Sequence, residues 1–206
     1  MTRIDQARQR IAREAARWML ESGSRDYHHA KQKAASRLNI KGDDALPRNS
    51  EIEQALREHQ ALFFGEAQRK ALRVRREAAL EAMLFFRDFS PRLAGPVWEG
   101  TADSHSLVQL HMHDDDAETI ARFLQEQRIP AQLHFRRLRL DRARDADLPV
   151  WRFQADDLGF ELIVLPYGLL RQAPLSDIDG KPMKRGSIEQ LESLLRSDEM
   201  DGLLKG

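Results

Sequence analysis

The chain has 206 residues, no cysteine, and Lys+Arg and Asp+Glu in equal number, 33 of each. That length allows one or two domains with a real core. The missing cysteine excludes disulfides, thiolate metal sites and a cysteine nucleophile, and the charge balance excludes a purely basic or acidic tail. The first residues, Met1 to Arg8, are polar and charged, and no apolar run approaches the ~18 residues of a membrane span. The expectation is therefore a cytoplasmic protein with no membrane partner. The balance hides an asymmetry: residues 1–87 hold 18 Lys+Arg against 12 Asp+Glu, and residues 88–206 hold 15 against 21. Such halves suit either a polyanion surface or mutual docking.

In chain order, Ile4, Ala7, Ile11, Ala15 and Trp18 repeat at helical spacing, which predicts a helix over 4–21 ended by Ser22-Gly23. Tyr27, Ala30, Ala34 and Leu38 predict a second helix over 26–38, and residues 41–47 read as a loop. Ser50 with Glu53 spells a capping box opening a third helix to about Phe63. Gly65 breaks the chain before a longer helix over 66–88, with Leu72, Leu80, Met83 and Leu84 toward the core. Its cations Arg69, Lys70, Arg73, Arg75 and Arg76 are diluted by Glu66, Glu77 and Glu81.

The texture changes at Ser90-Pro91. Residues 107–113 alternate as a strand does, and Asp114 to Asp116 then open a helix ending near Gln127, acids at its positive end. Strand-like runs follow over 133–140, 150–154 and 160–165, with turns at Asp145–Asp147 and Asp156–Gly159. Residues 168–186 read as ordered coil or arm, and a second capping box, Ser187 with Gln190, starts a short helix to about Arg196. The expectation is an α+β chain: a helical region over 1–88, then a small mixed-sheet domain over 89–206.

Several local patterns invite chemistry. His111 and His113 share a strand face near Asp114–Asp116, a conceivable metal site, although histidines beside capping acids are ordinary. The run from His134 to Arg142 interleaves arginines with Phe135, which suits a nucleic-acid backbone or a charged edge strand. Ser176-Asp177-Ile178-Asp179 resembles a carboxylate motif, yet the following Gly180-Lys181-Pro182 reads as turn chemistry. There is no phosphate loop and no Gly-x-Ser-x-Gly elbow.

The stretch Gly95-Pro-Val-Trp-Glu-Gly-Thr-Ala-Asp-Ser-His-Ser-Leu-Val-Gln-Leu-His-Met resembles the signature of the DNA polymerase β-like nucleotidyltransferase superfamily. Gly95 stands at the glycine of that family's Gly-Ser pair, Gly100 and Ala102 in its small-residue turn, and Ser106, Val108 and Leu110 in its strand. The resemblance covers roughly residues 89–166 and implies a nucleotidyltransferase-like fold. In the family, two strand carboxylates hold Mg²⁺ ions that bridge a triphosphate, a third carboxylate comes from a neighbouring strand, and the turn cradles phosphate.

Here the two metal positions hold Leu107 and Gln109, and Pro96 replaces the serine. Glu161 stands at the third carboxylate. The resemblance thus implies a non-catalytic relative that binds a nucleotide or RNA through Gly95, Gly100, Thr101, Ser106, Gln109, Arg137 and Arg139, with no metal site and no cofactor. Two other readings stay open. One is an active, Mg²⁺-dependent transferase with an altered site at Glu161, helped by Asp103 or Asp114. The other is a scaffold for a protein partner. On a strand, Leu107 and Gln109 share one face, and a lone Glu161 beside them needs a compensating cation, for which Arg137 or Arg139 is the candidate.

Overall fold

The computed structural model describes residues 3–24, 26–40, 42–63 and 65–203. Lys41 of the predicted loop and the side chain of Glu66 lie outside that description. The fold is α+β, with helices first and a six-stranded mixed sheet after them. Among the described residues no helix is long and apolar enough to cross a membrane.

The chain forms two compact units, residues 1–69 with 177–180, and residues 70–176 with 181–206. In the first, helices α1 (Arg3–Ser22), α2 (Tyr27–Arg37) and α3 (Asn49–Phe63) pack around Ile11, Ala15, Met19, Ala30, Ala34, Ile52 and Leu56. Of the predicted α1 stripe, Ile11 and Ala15 are at the centre, whereas Ile4 is half exposed. Small alanines let the helices approach closely. Asp26 caps α2 by accepting from the His29 N–H at 2.9 Å. The expected Ser50–Glu53 box does not form, because α3 starts earlier. Glu51 reaches back to the Arg48 N–H at 2.6 Å. Glu53 is buried instead and accepts from the Tyr27 hydroxyl at 2.6 Å.

Helix α4 (Gly65–Phe85) begins in one unit and ends in the other. The unit boundary falls after Arg69, whereas the change of periodicity lies at Ser90-Pro91. The reason is packing: Ala79, Met83 and Phe86 belong to the core of the sheet. Leu84, expected in that core, is half exposed, since Phe86 takes the inward position just past the helix end.

Strands β1 (Arg92–Ala94), β2 (Val108–His113), β3 (Gln132–Arg139), β4 (Asp145–Ala155), β5 (Leu158–Leu165) and β6 (Arg185–Gly186) lie in the order β3-β4-β5-β2-β1-β6. Only β2 and β5 run parallel. The one-turn helix α5 (Gly95–Glu99) follows β1, α6 (Ala117–Glu126) follows β2, and α7 (Ile188–Leu203) ends the described chain. Two strands and α5 were not expected. β1 and β6 are too short to show a period, and α5 starts where Pro96 sits in its first turn.

Residues Asp145 to Asp147 are strand rather than turn: β4 extends so that Asp147 faces Arg137 and Asp145 faces Arg139. The β4–β5 turn is carried by Asp156 and Asp157, both at positive φ. The Ser187–Gln190 box forms in both directions, at 2.9 and 3.3 Å, but α7 runs well past Arg196. Asp177 to Asp179 form a turn closed by the Ser176 N–H on the Lys181 carbonyl at 2.7 Å.

One face of the sheet packs the main core, with Leu93, Val108, Leu110, Met112, Phe160, Leu162 and Val164 beneath residues of α4, α5, α6 and α7. The opposite face starts with a smaller apolar cluster of Leu138, Leu148, Val150, Ile163, Leu165 and Leu169. The rest of that second face is polar, and the site is built there.

Candidate functional site on the polar sheet face

Period two sends Gln109, His111 and His113 of β2 to the second face. The parallel register sets Gln109 beside Glu161, His111 beside Ile163 and His113 beside Leu165. Antiparallel pairing then places Arg152 opposite Glu161, Ala94 opposite Gln109, and Arg185 opposite Ala94. A single row across five strands therefore reads Arg152, Glu161, Gln109, Ala94, Arg185.

Glu161 is the buried centre of this row, 3 % exposed. Its Oε1 accepts from Arg152 Nε at 2.9 Å and from a second Arg152 nitrogen at 2.7 Å, so two N–H groups of one guanidinium converge on one oxygen. Its Oε2 accepts from Gln109 Nε2 at 2.6 Å and from Arg136 at 3.2 Å. The two arginines keep 50 % and 42 % of their side-chain surface exposed. One buried carboxylate thus anchors two half-exposed guanidiniums, whose remaining N–H groups point away from it.

The expected pairing of Glu161 with Arg137 or Arg139 does not occur. Those two alternate to the other face of β3 and lie 3.6 and 3.8 Å from Asp145. Arg136, one position off, has the right phase. Arg152 escaped notice because β4 read as an ordinary strand.

The turn before β2 is held by glycines at positive φ and by hydrogen bonds. Gly95 has φ 65°, and a Cβ there would stand 2.8 Å from the Gln109 Oε1, so the glycine lets the backbone approach that amide. Gly100 ends α5 at φ 81°. Thr101 is buried, and its N–H donates to the Pro96 carbonyl at 2.9 Å. Ser106 donates to Asp103 Oδ1 at 2.8 Å and accepts from the Asp103 N–H at 3.0 Å.

Arg75 then ties the loop down, donating to the carbonyls of Ser104 at 2.6 Å and Ser106 at 2.9 Å. Arg76 binds the Val97 carbonyl and Asp198. These two cations of α4 are buried structural groups rather than a polyanion surface. Leu107 precedes β2, partly exposed, with its side chain over Gly159. The structure therefore brings Gly95, Gln109 and Glu161 together. Gly100, Thr101 and Ser106 lie in the turn that holds them, and Arg137 and Arg139 lie on the other face.

The donor set does not fit Mg²⁺. That ion requires anionic or carbonyl oxygens in near-octahedral array. Both Glu161 oxygens already accept from guanidinium or amide N–H, Gln109 turns its nitrogen toward Glu161, and Leu107 offers nothing. Among the described residues no three His, Cys, Asp or Glu side chains gather as metal ligands.

Further along β2, His113 Nδ1 meets the Ser90 carbonyl at 2.8 Å and its Nε2 meets Arg185 at 3.1 Å. Burial pushes its pKa down to about 4. His111 is fully buried, and burial, then Arg185, His113 and Arg136, hold its pKa down at about 3. Sequence reading saw both histidines but not Arg92 and Arg185, which arrive on the two strands too short to recognise. No protein-family model, characterised protein or solved structure matches the chain.

Proposed function

We propose that this chain is a nucleotidyltransferase-like protein that binds the phosphate of a nucleotide or RNA without transferring it. The observation that carries this reading is the pair of half-exposed guanidiniums, Arg136 and Arg152, fixed on the buried carboxylate of Glu161. In a two-metal transferase, cations on this face neutralise a phosphate chain. Here the cations are side chains. Glu161 orients them, and their outward N–H groups supply charge-assisted donors suited to phosphate oxygens.

Guanidiniums neutralise charge but do not generate a nucleophile, which is why binding fits this site better than transfer. The other face of β3 adds what an RNA strand needs. Phe135 is 69 % exposed and available for base stacking, with Arg137 and Arg139 following on the same side.

Titration with a labelled single-stranded RNA and with nucleoside triphosphates at low salt tests the reading. Both are expected to bind, with Arg152→Gln weakening both and Phe135→Ala weakening only the RNA. Absence of binding by either would overturn the proposal. Metal-dependent incorporation of nucleotide that is lost in Glu161→Gln would favour the active transferase, and a stoichiometric protein partner without nucleic acid would favour the scaffold.

A further inference from the structure

A second cluster on the same face uses none of the Arg136, Arg152 and Glu161 groups. Arg92 on β1 stands directly opposite His111 on β2. Arg185 on β6 is its diagonal neighbour, since Leu93 pairs with Gly186 and Ala94 with Arg185. Such a diagonal spans roughly 7–8 Å, within reach of long side chains. The two guanidiniums feel each other enough that burial, then Arg92, bring the Arg185 pKa down to about 10.

Neither arginine has a carboxylate within ion-pair distance among the described residues. Arg185 donates to the carbonyls of Leu169 at 2.6 Å and Leu170 at 2.9 Å and meets His113 Nε2, while Arg92 donates to the Pro91 carbonyl at 3.0 Å. Glu189 feels Arg92 through space, but its carboxylate accepts from the Ser187 hydroxyl at 2.6 Å. Beside Arg92 in register lies His111, wholly buried, with neither ring nitrogen hydrogen-bonded among the described residues. Two adjacent, partly buried cations and an unpaired buried imidazole are each costly, and one partner satisfies all three: an anion with several acceptor oxygens.

We propose that Arg92, Arg185 and His111 form an anion site that takes a phosphate group, inorganic or as a monoester. Two guanidiniums match the charge of about −1.5 to −2 that such a group carries near pH 7. The neutral imidazole donates one N–H to a phosphate oxygen without adding charge. A chloride ion matches neither the charge nor the number of donors.

The test is thermal unfolding of the full chain in phosphate-free buffer, with inorganic phosphate, a nucleoside 5′-monophosphate, or potassium chloride at matched ionic strength. Phosphate or the monoester is expected to raise Tm well above the chloride control, and whichever of the two does so at lower concentration identifies the source. Arg92→Gln should raise the required concentration roughly tenfold or more, while Arg122→Gln, an exposed α6 change outside both sites, leaves it unchanged.

If phosphate and monoester do no better than chloride, the inference is overturned. If the effect survives in Arg92→Gln but is lost in Arg152→Gln, this site fails and the Arg136–Arg152 reading stands. Should Arg92→Gln not fold, the ¹⁵N shifts of the His111 ring in the unaltered protein decide. A phosphate-dependent change that chloride does not produce supports the site, and unmoved shifts overturn it.

Discussion

Replacing Glu161 by Gln removes the charge that holds Arg136 and Arg152 together, leaving two guanidiniums facing each other. Because both are half exposed, water takes up part of the loss. The expected destabilisation is about 1–3 kcal/mol rather than the larger cost of orphaning a fully buried pair, measured as a lower denaturant midpoint at constant m-value. Millimolar Mg²⁺ is expected to leave Tm unchanged, since the carboxylate oxygens are already engaged. A Mg²⁺-dependent rise abolished in Glu161→Gln would contradict this.

His111 gives a pH prediction with a definite sign. Its folded pKa, about 3, lies below the ordinary 6.5. Between those values the unfolded chain binds a proton that the folded chain refuses. Stability is therefore complete above about pH 6.5 and falls as pH drops toward 3, by up to about 1.4 kcal/mol per pH unit. His113 adds the same trend down to about pH 4. The charged groups that oppose its protonation are Arg185, His113 and Arg136. In His111→Leu, the slope of stability against pH between 6 and 4 should become visibly shallower.

At the scale of elements, the turn from Thr101 to Leu107 depends on a helix outside it. Arg75 of α4 donates to two of its carbonyls, and Arg75→Ala leaves both without that donor. A loss of about 2 kcal/mol is expected, with amide exchange accelerated in residues 103–107 ahead of β2, readable by hydrogen exchange. The long elements were legible, α1, α2 and β2 from their period, α6 from the acids at its start, and β3 and β5 as strand-like runs. All six match their predicted spans closely. What escaped were elements with too few residues to repeat, β1, β6 and α5.

The site's legibility followed the same physics. Gln109 and Glu161 were expected on one face because the family resemblance sets them at carboxylate positions of neighbouring strands; period two alone groups only Leu107 with Gln109. The compensating arginines were misassigned by one residue, because the phase of β3 depends on its pairing with β4. That pairing ran through Asp145 and Asp147, acids that read locally as a turn. The Arg92–Arg185–His111 cluster was invisible because both arginines sit on the unrecognised strands.

At the scale of the whole molecule, the opposite charge bias of residues 1–87 and 88–206 makes ionic strength a sharp probe. If RNA runs along β3, log affinity should fall linearly with log salt at a slope near 0.7 per phosphate contacted. Arg137→Gln and Arg139→Gln should each make that slope shallower by about one contact, with little effect on nucleotide binding. The position of α4 has a practical bearing on how the sheet unit is obtained alone. Cutting the gene at the visible change of texture, near residue 88, discards Ala79, Met83 and Phe86, three buried members of the sheet's own core. The resulting fragment would present a greasy trough to solvent and collect in inclusion bodies. A fragment opening at Gly65 keeps the lid on that trough, so its yield in the soluble fraction should exceed that of the shorter piece.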